Sequence, residues 1–158
     1  MKIKSSVTLS ASAIEEVLIA CGVNWKRGNM TWTATPKIIG MKRGGITPVD
    51  MADQQGVYFL FARNELIHVG DTGPKGLGTI LLEHTRDNLQ SKWDFFSFLG
   101  LREVRPDGTL GKMLKTGSWS RCQAFLYAQL VFAHPGIKYS KFQLRKAGLA
   151  RYKQVCSI

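Results

Sequence analysis

The chain has 158 residues, 44% of them hydrophobic, with 22 Lys or Arg against 11 Asp or Glu and a formal charge of +11. This length and apolar content suit one folded domain with a substantial core and exclude wholesale disorder. The excess of positive charge favours a polyanionic partner, nucleic acid above all, over a neutral metabolite.

In chain order, Ser12-Ala13-Ile14-Glu15 has the spacing of a capping box and predicts a short helix over about 13–21, which Gly22 is placed to stop. Residues 23–53 are irregular and rich in turn formers. Within them Thr31-Trp32-Thr33-Ala34-Thr35 alternates as a strand does, and Lys42-Arg43-Gly44-Gly45 reads as a flexible basic loop. Val57-Tyr58-Phe59-Leu60-Phe61-Ala62 is a strand by composition. Arg63-Asn64 turns the chain, and Glu65-Leu66-Ile67-His68-Val69-Gly70 returns as the second strand of a hairpin. A loop bearing Gly70, Gly73 and Gly76 leads into a predicted helix over about 77–89, with Leu77, Ile80, Leu81 and His84 on or near one face. Residues 93–104 are aromatic and apolar and suit a buried third strand, followed by a turn at Pro106-Asp107-Gly108. Ser118 or Ser120 can cap a second helix running through 122–132, ended by Pro135-Gly136. A basic tail follows from Lys138, with Phe142, Leu144, Leu149 and Tyr152 available to pin it to the core.

Charge is unevenly placed along the chain. Residues 108–158 hold nine Lys or Arg and no Asp or Glu, which gives them +9 and leaves residues 1–107 with about +2. Clustered cations of this kind replace counterions along a phosphate backbone. The same stretch has no carboxylate with which to hold a catalytic metal. The three cysteines, Cys21, Cys122 and Cys156, form no C-x-x-C pair, so neither a zinc ribbon nor a thioredoxin-like site is readable and reduced thiols are expected. The first residues lack the apolar core of a signal peptide, and no apolar run approaches the roughly 20 residues of a bilayer span. A cytoplasmic protein with no membrane partner is the expectation.

The order of hairpin, Gly-rich loop, helix, aromatic strand and helix resembles that of the GIY-YIG nuclease family, and particular residues carry the likeness. Gly56-Val57-Tyr58 is similar to the first tripeptide, and His68-Val69-Gly70 to the second, with His in place of the usual Tyr. His84 lies on the next helix, where the family has a catalytic His. Trp93-Asp94-Phe95-Phe96-Ser97-Phe98-Leu99-Gly100 resembles a W-D-x-F-S-W-F-G stretch of small bacterial members. The likeness covers about 56–136. It implies an α+β fold, a small antiparallel three-stranded sheet flanked by helices, with residues 1–55 as an N-terminal helical and β elaboration and 137–158 as a basic tail packed on the core.

The chemistry the resemblance implies is phosphodiester hydrolysis, with Tyr58, His68 and His84 as the catalytic candidates. A base must activate water, a cation must hold the phosphoryl oxygens, and a carboxylate-bound metal must act as Lewis acid. This chain departs from the pattern in three places. Ile80 stands one turn before His84, where the family has Arg. No carboxylate lies near 127–129, where the metal-binding Glu belongs, and Lys138 falls at the Asn position. Losing one transition-state charge stabiliser costs about 10²–10³ in rate. From the loop before the helix, Lys75 could take the place of the Arg on a phosphate, and Asp71 could offer a metal ligand.

The resulting expectation is a nucleic-acid-binding pseudo-nuclease, on duplex or branched DNA, that needs no metal or other cofactor. One alternative is a working endonuclease with a rearranged site, for which Mg²⁺ or Mn²⁺ would be required. Another is a protein-binding inhibitor whose basic surface covers an acidic patch on its target. Candidate phosphate contacts are Lys75, Lys112, Lys115, Arg121, Lys138, Lys141, Arg145, Lys146, Arg151 and Lys153. Against these stand structural readings. Tyr58 could pack as a strand aromatic, His84 could bond a carbonyl, and His68 could be exposed or structural. Trp93, Phe95, Phe96 and Phe98 read as core, and His134 as a helix-end cap.

Overall fold

The computed structural model describes residues 20–113 and 150–156. The central strand pair is built from the two most apolar runs. β4 (Gly56–Ala62) and β6 (Phe95–Gly100) lie antiparallel, with Tyr58 opposite Phe98 and Leu60 opposite Phe96 on one face, and Val57 opposite Leu99 on the other. Both faces of this pair are buried, which is why each strand reads as a continuous apolar run and not as an alternation. β5 (Glu65–Asp71) returns from β4 through a two-residue turn and forms one edge of the sheet.

The sheet does not stop at three strands. β1 (Ala20–Lys26) pairs antiparallel with β6, and β9 (Ala150–Gln154) pairs parallel with β1. β2 (Ile39–Lys42) adds to β9, and β3 (Pro48–Asp50) adds to β2. The result is a seven-stranded mixed sheet in the order β3-β2-β9-β1-β6-β4-β5, with β7 (Arg102–Val104) and β8 (Leu110–Met113) forming a separate antiparallel pair. The expected small three-stranded sheet flanked by helices is thereby overturned. Segments that read as turn-rich (residues 23–53) or as basic tail become strands because neighbouring edges offer them hydrogen-bonding partners. Local composition does not reveal such partners.

Other expectations are corrected in the same way. Ala20 and Cys21, expected at the end of a helix, open β1. Residues 31–35 form no strand; Thr31 and Lys37 make one isolated bridge. The helix α1 (Leu77–Glu83) ends well short of 89, and the chain then passes through turns. The run at 93–104 breaks after Gly100, Leu101 carrying it across to β7. The second helix at 122–132 lies outside the described residues.

α1 lies over the face that carries Tyr58 and Leu60. Its Leu77 and Leu81 join Trp25, Trp93, Phe96, Phe98 and Tyr152 in one core cluster. The aromatic rings meet edge to face, with Trp25 and Phe98 centroids 5.1 Å apart, a geometry that favours the ring quadrupoles. Met51 and Ile38 close the cluster toward β2.

The loop between β5 and α1 is tied to the start of β4. Thr72 Oγ1 accepts from the Gly56 N–H at 3.0 Å, and the Thr72 N–H donates to the Gly56 carbonyl at 2.9 Å. Gly56 itself has φ of +151°, and a Cβ there would lie 2.0 Å from the Leu99 carbonyl oxygen, so only glycine fits the close β4–β6 approach. Replacing Thr72 by Val keeps the volume but leaves the buried Gly56 N–H unpaired. We expect a loss of about 1–3 kcal/mol, measured by urea denaturation, and a larger loss for Gly56→Ala.

Candidate functional site

Three elements converge on one phenol. Tyr58 sits mid-strand in β4, His68 on the adjoining β5, and His84 at the C-terminal end of α1. β-Strand register places Leu60 opposite His68 and Tyr58 opposite Gly70, so all four lie on the helix-covered face. Gly70 is what makes room. A Cβ at that position would come 2.4 Å from Tyr58 Oη, so the second tripeptide's glycine is a space requirement of the phenol.

Tyr58 Oη lies 2.7 Å from His84 Nε2 and 3.2 Å from His68 Nε2. The two imidazole centroids are 4.9 Å apart. His84 Nδ1 in turn lies 2.6 Å from Asp87 Oδ2. Asp87 was not among the residues singled out from the sequence. The signal for it is the His-x-x-Asp spacing, which puts both side chains on one side of a helical turn. The other Asp87 oxygen accepts the Leu89 N–H at 2.7 Å, which fixes the carboxylate.

The protons in this chain of bonds follow from the charge states. Partial burial works to raise the Asp87 carboxyl, but the Leu89 N–H and the His84 ring outweigh it and hold it below the usual carboxylate range. An ionised carboxylate only accepts, so His84 carries a proton on Nδ1, and in its neutral form presents a lone pair at Nε2. Burial, and then the negative charges of Asp87, Glu83 and Asp71, push the Tyr58 phenol up to about 12. It therefore keeps its single proton and donates it to His84. The phenol oxygen is left to accept from His68 Nε2–H. Burial, and then the positive charge that His84 acquires when protonated, lower the His68 pKa below its ordinary value, with Asp87 opposing. His68 is thus neutral at pH 7, with its Nδ1 lone pair pointing away from the relay and no bonding partner among the described residues. This order of donors and acceptors, Asp87–His84–Tyr58–His68, satisfies every buried polar atom in the cluster.

Lys75, the expected phosphate-binding substitute for the family Arg, lies at the start of the helix and pairs at 2.7 Å with Glu83. Both side chains are about half exposed, so the pair is weak and open to competition by a phosphate. Ile80, one turn before His84, is half-buried against the core and offers no charge.

The divalent ion that the family resemblance implies does not fit the donors near Tyr58. Asp87 is committed to His84 and Leu89 and Asp71 Oδ1 to the Gly73 N–H at 2.7 Å, which leaves Glu83, weakly paired with Lys75, as a single carboxylate. Among the described residues no three His, Cys, Asp or Glu side chains are placed to share an ion.

Of the expected phosphate contacts, Lys112 is exposed on β8, and Arg151 and Lys153 lie on β9. Lys115, Arg121, Lys138, Lys141, Arg145 and Lys146 fall outside the described residues, as does His134. The structure brings Arg151 and Lys153 beside Lys42 and Arg43. Met41 is in register with Lys153, Lys42 with Tyr152, and the Arg43 N–H donates to the Arg151 carbonyl. Cationic segments more than a hundred residues apart in sequence thus meet, with Arg151 and Lys153 on one face and Lys42 on the other beside Tyr152. Their junction lies three strand spacings, roughly 14 Å, from β4. Trp93 and Phe96, read as core, are buried there. Trp93 also takes the Arg27 guanidinium over its ring at 4.5 Å. No helix among the described residues is long and apolar enough to cross a membrane.

Comparison with protein-family models, with curated proteins and with solved structures returned no significant match.

His68 is expected to titrate below 6.5 in ¹⁵N-resolved histidine NMR, neutral at pH 7 with its proton on Nε2, while His84 carries its proton on Nδ1. Because the folded-state pKa of His68 is depressed, the unfolded chain binds more protons as the pH falls. Its contribution to stability is therefore present above about pH 6.5 and is lost as the pH drops through the folded value. A thermal midpoint that fell on going from pH 5 to pH 7 would contradict this.

Proposed function

We propose that this chain is a nucleic-acid-binding protein of GIY-YIG-like character whose Tyr58–His68–His84 cluster acts on the phosphodiester backbone. One observation carries the reading. A buried phenol is held between two imidazoles, one of them oriented by a carboxylate. General acid–base chemistry needs a base, its orienter and a proton path in this kind of contact. Purely structural histidines do not need it. The exposed Lys75 lies on the loop beside this cluster, and Arg151 and Lys153 add positive charge on the other face of the sheet, so a bound polyanion would have to wrap its edge.

A second reading is favoured by the committed carboxylates around Tyr58. In it the protein grips nucleic acid and does not cut it, the site having lost the donors for the ion that the family's chemistry uses. Such a protein would mask DNA or block a partner enzyme.

Two measurements bear on these readings. Affinity for a polyanionic strand should fall steeply with salt, by about 10³–10⁵ between 50 and 200 mM if six to ten phosphates are contacted. Arg43→Ala, Arg151→Ala and Lys153→Ala should each lower the slope of log affinity against log salt by about one if each residue holds one phosphate. Failure of any DNA or RNA to bind at low salt defeats both readings and favours a protein partner. Strand cleavage that disappears in Tyr58→Phe, with binding unchanged, selects the first. Binding with no cleavage under any condition, Mg²⁺ and Mn²⁺ included, selects the second.

A further inference from the structure

We propose that the substrate of the Asp87–His84–Tyr58–His68 relay is RNA, with His68 Nδ1 the base that removes the proton of a ribose 2′-hydroxyl. This rests on the phosphodiester reading above and names its substrate class.

The relay has a direction. Asp87 fixes the proton on His84 Nδ1, so His84 Nε2 accepts from Tyr58, and Tyr58 accepts from His68 Nε2–H at 3.2 Å. Among the described residues the chain of bonds ends at His68 Nδ1, whose lone pair has no partner there. His68 is only half-buried and lies on the edge strand β5. The phenol, by contrast, is 3% exposed and sits against Gly70. The group that can meet a substrate is therefore the imidazole, and Tyr58 is a positioning residue.

A lone imidazole base is suited to some nucleophiles and not to others. Hydrolysis of DNA requires a free water to be captured, deprotonated and aimed, work usually given to a metal-bound water. Here Asp87 and Asp71 are held by protein partners, and no three His, Cys, Asp or Glu side chains among the described residues are placed to share an ion. In RNA the nucleophile is part of the substrate. The 2′-oxygen sits beside the phosphorus, and well-oriented intramolecular attack is worth an effective concentration of about 10⁵–10⁸ M. A base that only accepts a proton is then enough. The 2′-hydroxyl proton passes to His68 Nδ1 as the 2′-oxygen bonds to phosphorus. The bond from phosphorus to the 5′-oxygen breaks, and that oxygen leaves with a proton from solvent. The imidazolium returns its own proton to solvent. The products are a 2′,3′-cyclic phosphate and a free 5′-hydroxyl, with no water or ion consumed.

The test uses the full-length protein in EDTA with end-labelled single strands of one sequence: all-RNA, all-DNA, DNA with one internal ribonucleotide, and 2′-O-methyl RNA. The expected result is cleavage of the RNA, cleavage of the mixed strand only on the 3′ side of its ribonucleotide, and cyclic phosphate ends. The DNA and methylated strands stay intact. His68→Gln should slow cleavage by about 10²–10⁴. Asp87→Asn leaves the base in place but no longer fixes the proton on His84, so it should lower the rate and shift its pH profile. Histidine NMR on each variant reads whether the remaining relay is folded. Cutting of RNA and DNA alike, or of DNA only when Mg²⁺ is restored, overturns the RNA assignment and leaves the phosphodiester reading standing. Cleavage undiminished in His68→Gln overturns the role of His68. Binding of every strand with cleavage of none overturns the chemistry altogether.

Discussion

A buried hydroxyl must find hydrogen-bonding partners or cost its desolvation, and the arrangement around Tyr58 follows from that requirement. The phenol lies mid-strand between β5 and α1, beneath a covering it cannot escape. Its two partners come from elements separated in sequence, His68 on the hairpin's return strand and His84 at the end of the helix. For both imidazoles to reach it, the strand opposite must lack a side chain, which Gly70 supplies. The helix must also stop soon after His84, so that the Leu89 N–H is free to hold the Asp87 carboxylate against Nδ1. The short helix is thus part of the site: a helix continued to 89 would leave the Leu89 N–H bonded within the helix and not to Asp87.

The sheet explains how so compact a cluster is held still. β4 is flanked on both sides, by β5 and β6, and the pair β4–β6 is buried on both faces. The ties between Gly56 and Thr72 close the loop from β5 to α1 at its base. Tyr58 therefore has a fixed backbone, a fixed ring and a single place for its hydroxyl. The helix that carries His84 is anchored by Leu77 and Leu81 against the same core. Positional precision of this kind is what acid–base chemistry needs and what a merely space-filling tyrosine does not.

The charge of the protein and the chemistry of the cluster occupy different parts of the sheet. Around Tyr58 burial, and then the negative charges of Asp87, Glu83 and Asp71, keep the phenol protonated. The cationic segments meet across the sheet, where β9 is inserted between β1 and β2. This separation lets one surface bind a polyanion through long-range attraction while the other holds neutral groups whose protons can move.

The apolar runs 57–62 and 95–100, the turn at Arg63-Asn64, the return strand bearing His68 and the start of the helix were legible in the sequence. Each depends on local composition and on the short period of its side chains. Tyr58, His68 and His84 were also legible as candidates, through their places on those elements. Only the tertiary structure decided that residues 20–26, 39–42, 48–50 and 150–154 would extend the sheet to seven strands. Edge pairing is a property of what a strand lies beside, and the parallel contact of Ala20 with Ala150 has no local signature. The partnership of Asp87 with His84 left a signal in the i,i+3 spacing, but the second hold on that carboxylate, the Leu89 N–H, needs the helix to end where packing ends it. Equally hidden was the approach of Arg43 to Arg151 and Lys153, since charge counted along a chain does not say which cations will share a surface.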